Sequence, residues 1–329
     1  MVMKKSILYI GCLSLFVTLL SSCEIDEKAV PKPAVKPGVA NNQVAMGNNY
    51  KYQIFFDLET NKAVAQNAKK VWDLGFECGA DGFHIILNSS KSMFAYNTHV
   101  TDFASLTDTV GKLGAKLWDA SSGNLDSTAV GDWRTAGEVY IIDRGYDEDA
   151  NQQGHKKVQF IQVDANTYHL KMADINGSNL VEKTITKNDD YNFIFMSLTD
   201  GATVAVEPPK DTWDIAFTQY THVFEEESGP LPYLVTGCLL NRYKTTAIKD
   251  TLSSFSDINL QNAESATFSN AINTIGYDWK TYTGSTYVVN KSWNYIIRNR
   301  KGLYYKMHFI SFFNTSGEKG SPSFEYQQL

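Results

Sequence analysis

Short apolar runs alternate with polar clusters along this chain, and the order of the runs occurs twice. In the first half, Ile54-Phe55-Phe56-Asp57-Leu58 leads into Val71-Trp72-Asp73-Leu74-Gly75-Phe76. In the second, Ile194-Phe195-Met196-Ser197-Leu198 leads into Thr212-Trp213-Asp214-Ile215-Ala216-Phe217. Val64 and Val204 each stand six positions after the leucine. Val139-Tyr140-Ile141-Ile142 runs on into Lys157-Val158-Gln159-Phe160-Ile161, and Asn294-Tyr295-Ile296-Ile297 into Lys306-Met307-His308-Phe309-Ile310. Copies of about 140 residues are far longer than solenoid or propeller units, so each can carry its own core.

Runs rich in Val, Ile, Tyr, Phe and Thr, closed by Gly, Asn, Asp or Pro every 8–15 residues, predict strands. They fall at 53–58, 83–87, 138–142, 157–163 and 167–172, then at 192–198, 212–218, 233–240, 285–290, 293–298, 304–313 and 323–326. Helical periodicity is confined to Asp102–Leu117, with apolar Phe103, Leu106, Val110 and Leu113, and to its copy around 255–275. Strands without crossover helices cannot make a parallel sheet, so the expected fold is all-β: two similar antiparallel, β-sandwich-like domains in tandem, 41–187 and 188–329. Trp72 and Trp213 recur at one repeat position between apolar neighbours and are expected in cores.

The start of the chain reads as an address. Lys4 and Lys5 precede a largely apolar stretch from Ile7 to Leu20, and Leu20-Ser21-Ser22-Cys23 places small residues before a cysteine. This is the pattern of a secretory leader, here 1–22, and the stretch is short for a membrane span. The Cys23 ending resembles a bacterial lipobox, which makes Cys23 the lipid attachment site. An acidic cluster, Glu24-Ile25-Asp26-Glu27, and Pro31, Pro33 and Pro37 form a semi-rigid tether over 23–40. The acidic cluster resembles the surface-export signal of Bacteroidetes lipoproteins, so the expected position is lipid-anchored in the outer membrane and exposed at the cell surface.

Charge and cysteine use narrow the function. Losing the leader removes Lys4 and Lys5 and no acid, taking the net charge from −6 to −8. With no basic cluster, nucleic acid is not an expected partner. Cys78 and Cys238 fall at different repeat positions, and two free buried thiols are expected rather than a bridge. No HxH, HExxH, Cys-x-x-Cys or G-x-S-x-G pattern occurs, so neither a zinc site nor a nucleophile is legible and no enzyme is expected. Asp147-x-Asp149-x-Asn151 opens like a calcium loop, but Gln152 and Val158 occupy the glycine and glutamate positions. The sharper constellation is Met93-Phe94-Ala95-Tyr96-Asn97-Thr98-His99, a thioether and an imidazole beside aromatic surface, groups that haem iron and a porphyrin face accept.

Taken in order, the lipobox, Trp213-Asp214-Ile215-Ala216-Phe217-Thr218-Gln219-Tyr220, Leu239-Leu240-Asn241-Arg242, Trp293 to Arg298, Gly302 to Phe309 and Gly317 to Tyr326 resemble the HmuY family of haem-binding lipoproteins of Bacteroidetes. The resemblance covers about 190–329 closely and about 45–185 more loosely. It implies an all-β surface protein binding haem or a related porphyrin for iron acquisition, with a TonB-dependent haem transporter as a possible partner. It also implies paired His or Met ligands, and the second copy offers none: Asp278 to Ser285 and the region 243–265 contain neither residue. Only Met93 and His99 of the first copy fall in a ligand region. The alternative is a structural or adhesive tandem-β lipoprotein that has lost the haem ligands.

Overall fold

The computed structural model describes residues 38–329; the leader, Cys23 and most of the tether lie outside the described residues. The first half supplies β1 (Ala40–Gln43), β2 (Tyr52–Asp57), β3 (Lys62–Ala68), β4 (Leu74–Glu77), β5 (Ile85–Leu87), β6 (Phe94–Asn97), β7 (Val139–Asp143), β8 (His155–Val163), β9 (Thr167–Ala173) and β10 (Val181–Thr186). The second supplies β11 (Phe193–Met196), β12 (Thr203–Val204), β13 (Ile215–Glu226), β14 (Gly229–Leu240), β15 (Thr246–Asp250), the single α-helical turn α1 (Leu260–Glu264), β16 (Lys280–Tyr282), β17 (Tyr287–Val289), β18 (Asn294–Arg298), β19 (Tyr304–Phe313) and β20 (Lys319–Gln328). Every strand expected from the alternation is present, all pairings are antiparallel, and the fold is all-β.

The sheets cross the sequence repeat. The first half begins with β1–β3 and the second with β11 and β12, and those strands complete the sheets of the other half. β2 pairs with β13, setting Phe55 opposite Ala216, and β11 pairs with β4, setting Phe195 opposite Gly75. β1 closes onto β20 at the far end of the chain, and β10 onto β9. One sandwich therefore joins sheet β14-β13-β2-β3 to sheet β1-β20-β19-β18-β15, around Ile54, Phe56, Phe217, Trp279, Tyr295 and Phe309. The other joins β12-β11-β4-β5 to β10-β9-β8-β7-β6, around Phe76, Ile85, Ile142, Phe160 and Met196.

Alternation gives the four-stranded sheets a second apolar face. Phe55, Phe193, Phe195 and Ala216 point away from those two cores and form a third with Trp72, Trp213 and Val206. Phe55 packs edge-on against Trp213 at 4.9 Å, and Phe195 against Trp72 at 4.7 Å. Continuous apolar runs such as Ile54-Phe55-Phe56 thus mark strands buried on both faces.

The repeated Trp-Asp and Leu-Asn pairs hold this exchange in place. Asp73 accepts a hydrogen bond from the Leu198 amide (2.7 Å) and Asp214 from the Leu58 amide (3.0 Å), each fastening the incoming hairpin of the other half. Arg144 donates to Asp73 and Arg300 to Asp214. Asn88 Nδ2 bridges the Lys69 and Trp72 carbonyls, and Asn241 Nδ2 the Lys210 and Trp213 carbonyls.

Two expectations are corrected. Residues 102–117 make turns rather than a helix. Asp102 and Asp108 carboxylates bond the amides two residues on, and Gly111 and Gly114 weaken the rest, leaving Val110 82% exposed. Its copy keeps one short helix, α1, capped reciprocally by Asn259 and Asn262. Val64 is not the ladder counterpart of Val204. A bulge in β3 extrudes Val64 and puts Ala65 opposite Phe55, whereas Val204 stands opposite Phe195. Cys78 and Cys238 are free, Cys238 fully buried and Cys78 partly so.

Candidate functional site

The structure separates the two donors picked out by sequence. Met93 is 2% exposed, inside the core shared by β4–β12, and its thioether is sealed from any ligand entering from solvent. His99 follows β6 at a left-handed φ of 56°, with its side chain 78% exposed. Its Nδ1 lies 3.0 Å from Glu138 Oε1, and Asn97 donates to the same carboxylate; those two bonds, Asn97's first, hold Glu138 below the usual carboxylate range. A carboxylate on Nδ1 is the arrangement that orients metal-binding imidazoles. His84, His155 and His308 have carboxylate partners too, but their side chains are 16%, 35% and 15% exposed, so exposure is what sets His99 apart.

A histidine passed over in the sequence has a more aromatic setting. Tyr220, His222 and Phe224 share one face of β13, and Tyr277 packs on them, with His222 4.6 Å from the Phe224 ring and 5.2 Å from that of Tyr277. Its Nδ1 has no partner among the described residues, and burial lowers its pKa against the pull of Asp278, favouring neutral imidazole. The alternation Tyr-x-His-x-Phe was the available signal.

An aromatic-walled cavity lies elsewhere, between the two four-stranded sheets. It is a cavity of about 140 Å³ walled by Phe55, Trp72, Phe193, Phe195 and Trp213, with Asp119, Glu207 and Arg242 at its polar end. Long excursions from both halves close it. Ser121 Oγ accepts from the Val223 amide, the Ile272 amide donates to Ser122 O, and Arg242 Nη1 donates to Gly123 O. Gly123 has φ +73°, and a Cβ there would stand 2.7 Å from both Arg242 Nη2 and Ile272. Only glycine permits that approach.

The polar end is charged and incompletely matched. Asp119 accepts from the Leu87 and Ala129 amides, yet burial pushes it up to about 6. Glu207 accepts from the Asn192 and Phe193 amides, and burial pushes it up to about 7. Burial also lowers the Arg242 pKa; Asp119 and Glu207 oppose that, but no carboxylate among the described residues lies within 4 Å of its guanidinium. The two tryptophans differ as well. Trp72 Nε1 donates to Gln53 at 2.9 Å, whereas Phe193 occupies the equivalent strand position in the second half and buried Trp213 Nε1 has no partner among the described residues. The Gln53–Phe193 difference was readable in the repeat alignment; that it borders a cavity was not.

A cavity of this size suits one aromatic ring, since an engineered cavity of about 150 Å³ holds benzene. It does not suit a four-pyrrole macrocycle. Met93 and His99 likewise do not form an enclosed two-ligand haem site.

Comparison with known proteins follows the repeat. The family model for the HmuY protein matches residues 49–191 and again 189–326. Among solved structures, the chain is similar to apo PinO from Porphyromonas gingivitis, with 12% identity, a TM-score of 0.29, and coverage of 89% of this chain and 98% of that one. It is also similar to the apo HmuY analog of Tannerella forsythia, with 13% identity, a TM-score of 0.23, and coverage of 90% and 98%. No curated protein matches. With both halves matched by one family model and the strands of each half completing the other, the chain belongs to the HmuY family, as a tandem of two HmuY-like copies.

Proposed function

We propose that this is a HmuY-type surface lipoprotein that binds haem or a related porphyrin weakly, at an open surface around His99, in the service of iron acquisition. The observation that carries the reading is the family match over both halves. The Cys23 lipobox and acidic tether support anchoring in the outer membrane. His99 supports the contact, being exposed and oriented by Glu138. With Met93 enclosed, a single axial imidazole would give micromolar rather than nanomolar affinity, about 8 against 12 kcal/mol. A TonB-dependent transporter is the natural acceptor for such cargo.

Titrating the leaderless protein with haemin and following the Soret band tests this. A saturable shift lost in His99→Ala and kept in His222→Ala supports the reading. A shift lost in His222→Ala instead moves the site to the aromatic face of β13. Spectra showing only scattering favour a tandem-β lipoprotein that keeps the fold without the haem ligands, a reading that the burial of Met93 supports.

A further inference from the structure

The geometry points to the cavity between the two four-stranded sheets as a second binding site, for an uncharged single-ring aromatic amide or a molecule of the same size and polarity. It is distinct from the proposed haem contact and does not depend on it.

Three observations define the ligand. The walls are aromatic, with Phe55, Phe193, Phe195, Trp72 and Trp213 leaving about 140 Å³ between them, room for one ring. Among the described residues, the buried Trp213 Nε1 lacks an acceptor, and the Arg242 guanidinium, only partly buried, makes a bond to Gly123 O. Buried donors without partners are costly, and the counterpart Trp72 shows that the fold can supply one, through Gln53. Asp119 and Glu207 at the same end present carboxylate oxygens but stand beyond ion-pair distance from Arg242. An amide has the matching polarity, its carbonyl accepting from Arg242 or Trp213 while its N–H donates to a carboxylate. A carboxylic acid fits less well, since it would bring a third anion to a site with one cation. Burial that raises the pKa of both acids, to about 6 and about 7, marks a surrounding already hostile to negative charge. Because the walls come from both halves, neither copy could form the site alone.

Benzamide is the probe, with benzoate and toluene as comparisons, added to the full mature chain. Calorimetry measures affinity, and nitrogen–proton correlation spectra follow the indole signals, assigned with Trp213→Phe and Trp72→Phe. The expected result is saturable benzamide binding at least tenfold tighter than benzoate or toluene, with the Trp213 indole signal moving downfield and that of Trp72 still. Arg242→Gln should weaken binding at least tenfold. Ala216→Val, which adds bulk to the cavity wall without touching a polar group, should weaken it even if Arg242→Gln fails to fold. The proposal is overturned if benzamide does not saturate, if toluene binds as well, or if Ala216→Val binds normally. An unmoved Trp213 signal would also overturn it, because the unmatched donor would then be served by water alone.

Discussion

The two buried aspartates at the crossing points occupy equivalent positions in opposite company. Asp73 faces two cations, Lys91 at 2.5 Å and Arg144 at 3.0 Å. Asp214 shares one cation, Arg300 at 2.7 Å, with a second acid, Asp57, 3.0 Å from the same nitrogen. One node carries an excess positive charge and the other an excess negative charge, yet both hold a leucine amide of the exchanged hairpin. The fold therefore requires the aspartate, one arginine and the backbone donor, and the third charge is free to change sign. Burial still costs something at each surplus group: it lowers the Lys91 pKa against the pull of Asp73 and raises that of Asp214 against the pull of Arg300.

The comparison breaks most severely if the chain is cut. Residues 69–210 contain every strand of the β4–β12 sandwich, whereas residues 41–187 contain β1–β3, whose sheets are completed by strands of the other half. Expressed alone, 69–210 should sediment as a folded monomer, and 41–187 should be unfolded or should dimerise by exchanging strands. A folded, monomeric 41–187 would refute the crossing. At the nodes, Asp73→Ala strands two buried cations and should cost about 3–5 kcal/mol in urea unfolding. Asp214→Ala leaves Arg300 paired with Asp57 and should cost about 1–3 kcal/mol. Equal losses would show that the third charge does not matter.

Smaller effects separate the two tryptophans. Gln53→Leu removes the acceptor of Trp72 Nε1 and of Asn67 Nδ2, and should destabilise by about 1–3 kcal/mol. Trp213→Phe deletes a donor that has no partner and should cost less, so a reversed order would place an acceptor on Trp213. Glu207 adds a pH signature specific to the second half. Its folded pKa, about 7, lies above its ordinary 4.5, so its contribution to stability is fully present below about 4.5 and fades as pH rises to about 7. Asp119 adds a change of the same sign up to about 6. Chemical unfolding at pH 4.5 and 7 should show wild type losing stability across that interval and Glu207→Gln losing less. Identical slopes would mean that Glu207 titrates normally.

Strands such as β8, β9 and β19 were legible from their apolar runs, whereas β3, β6, β10 and β15 were not read, and the doubled Trp-Asp phrase marked the copies because each copy needs it. The crossing was not legible. Ile54-Phe55-Phe56 and Ile194-Phe195-Met196 say only that these strands are buried on both faces, and partner choice depends on where the hairpin lands. The helix expected at 102–117 failed because Asp102 and Asp108 satisfy local amides more cheaply than a helix would. Met93 and His99 were joined by adjacency in sequence, but the end of β6 turns one into the core and the other into solvent. The cavity was invisible for a related reason: its polar residues, Asp119, Glu207 and Arg242, are far apart in the chain and meet only where the two halves touch.

A duplicated segment is ordinarily free to decay once its twin suffices. Here that route is closed, because β1–β3 of the first copy finish the sheets of the second and β11–β12 of the second finish a sheet of the first. Losing either copy would open a sandwich in the survivor, so selection must retain the pair as one inherited unit. Divergence is left to positions such as Lys91, whose partner Asp73 lies in the same copy.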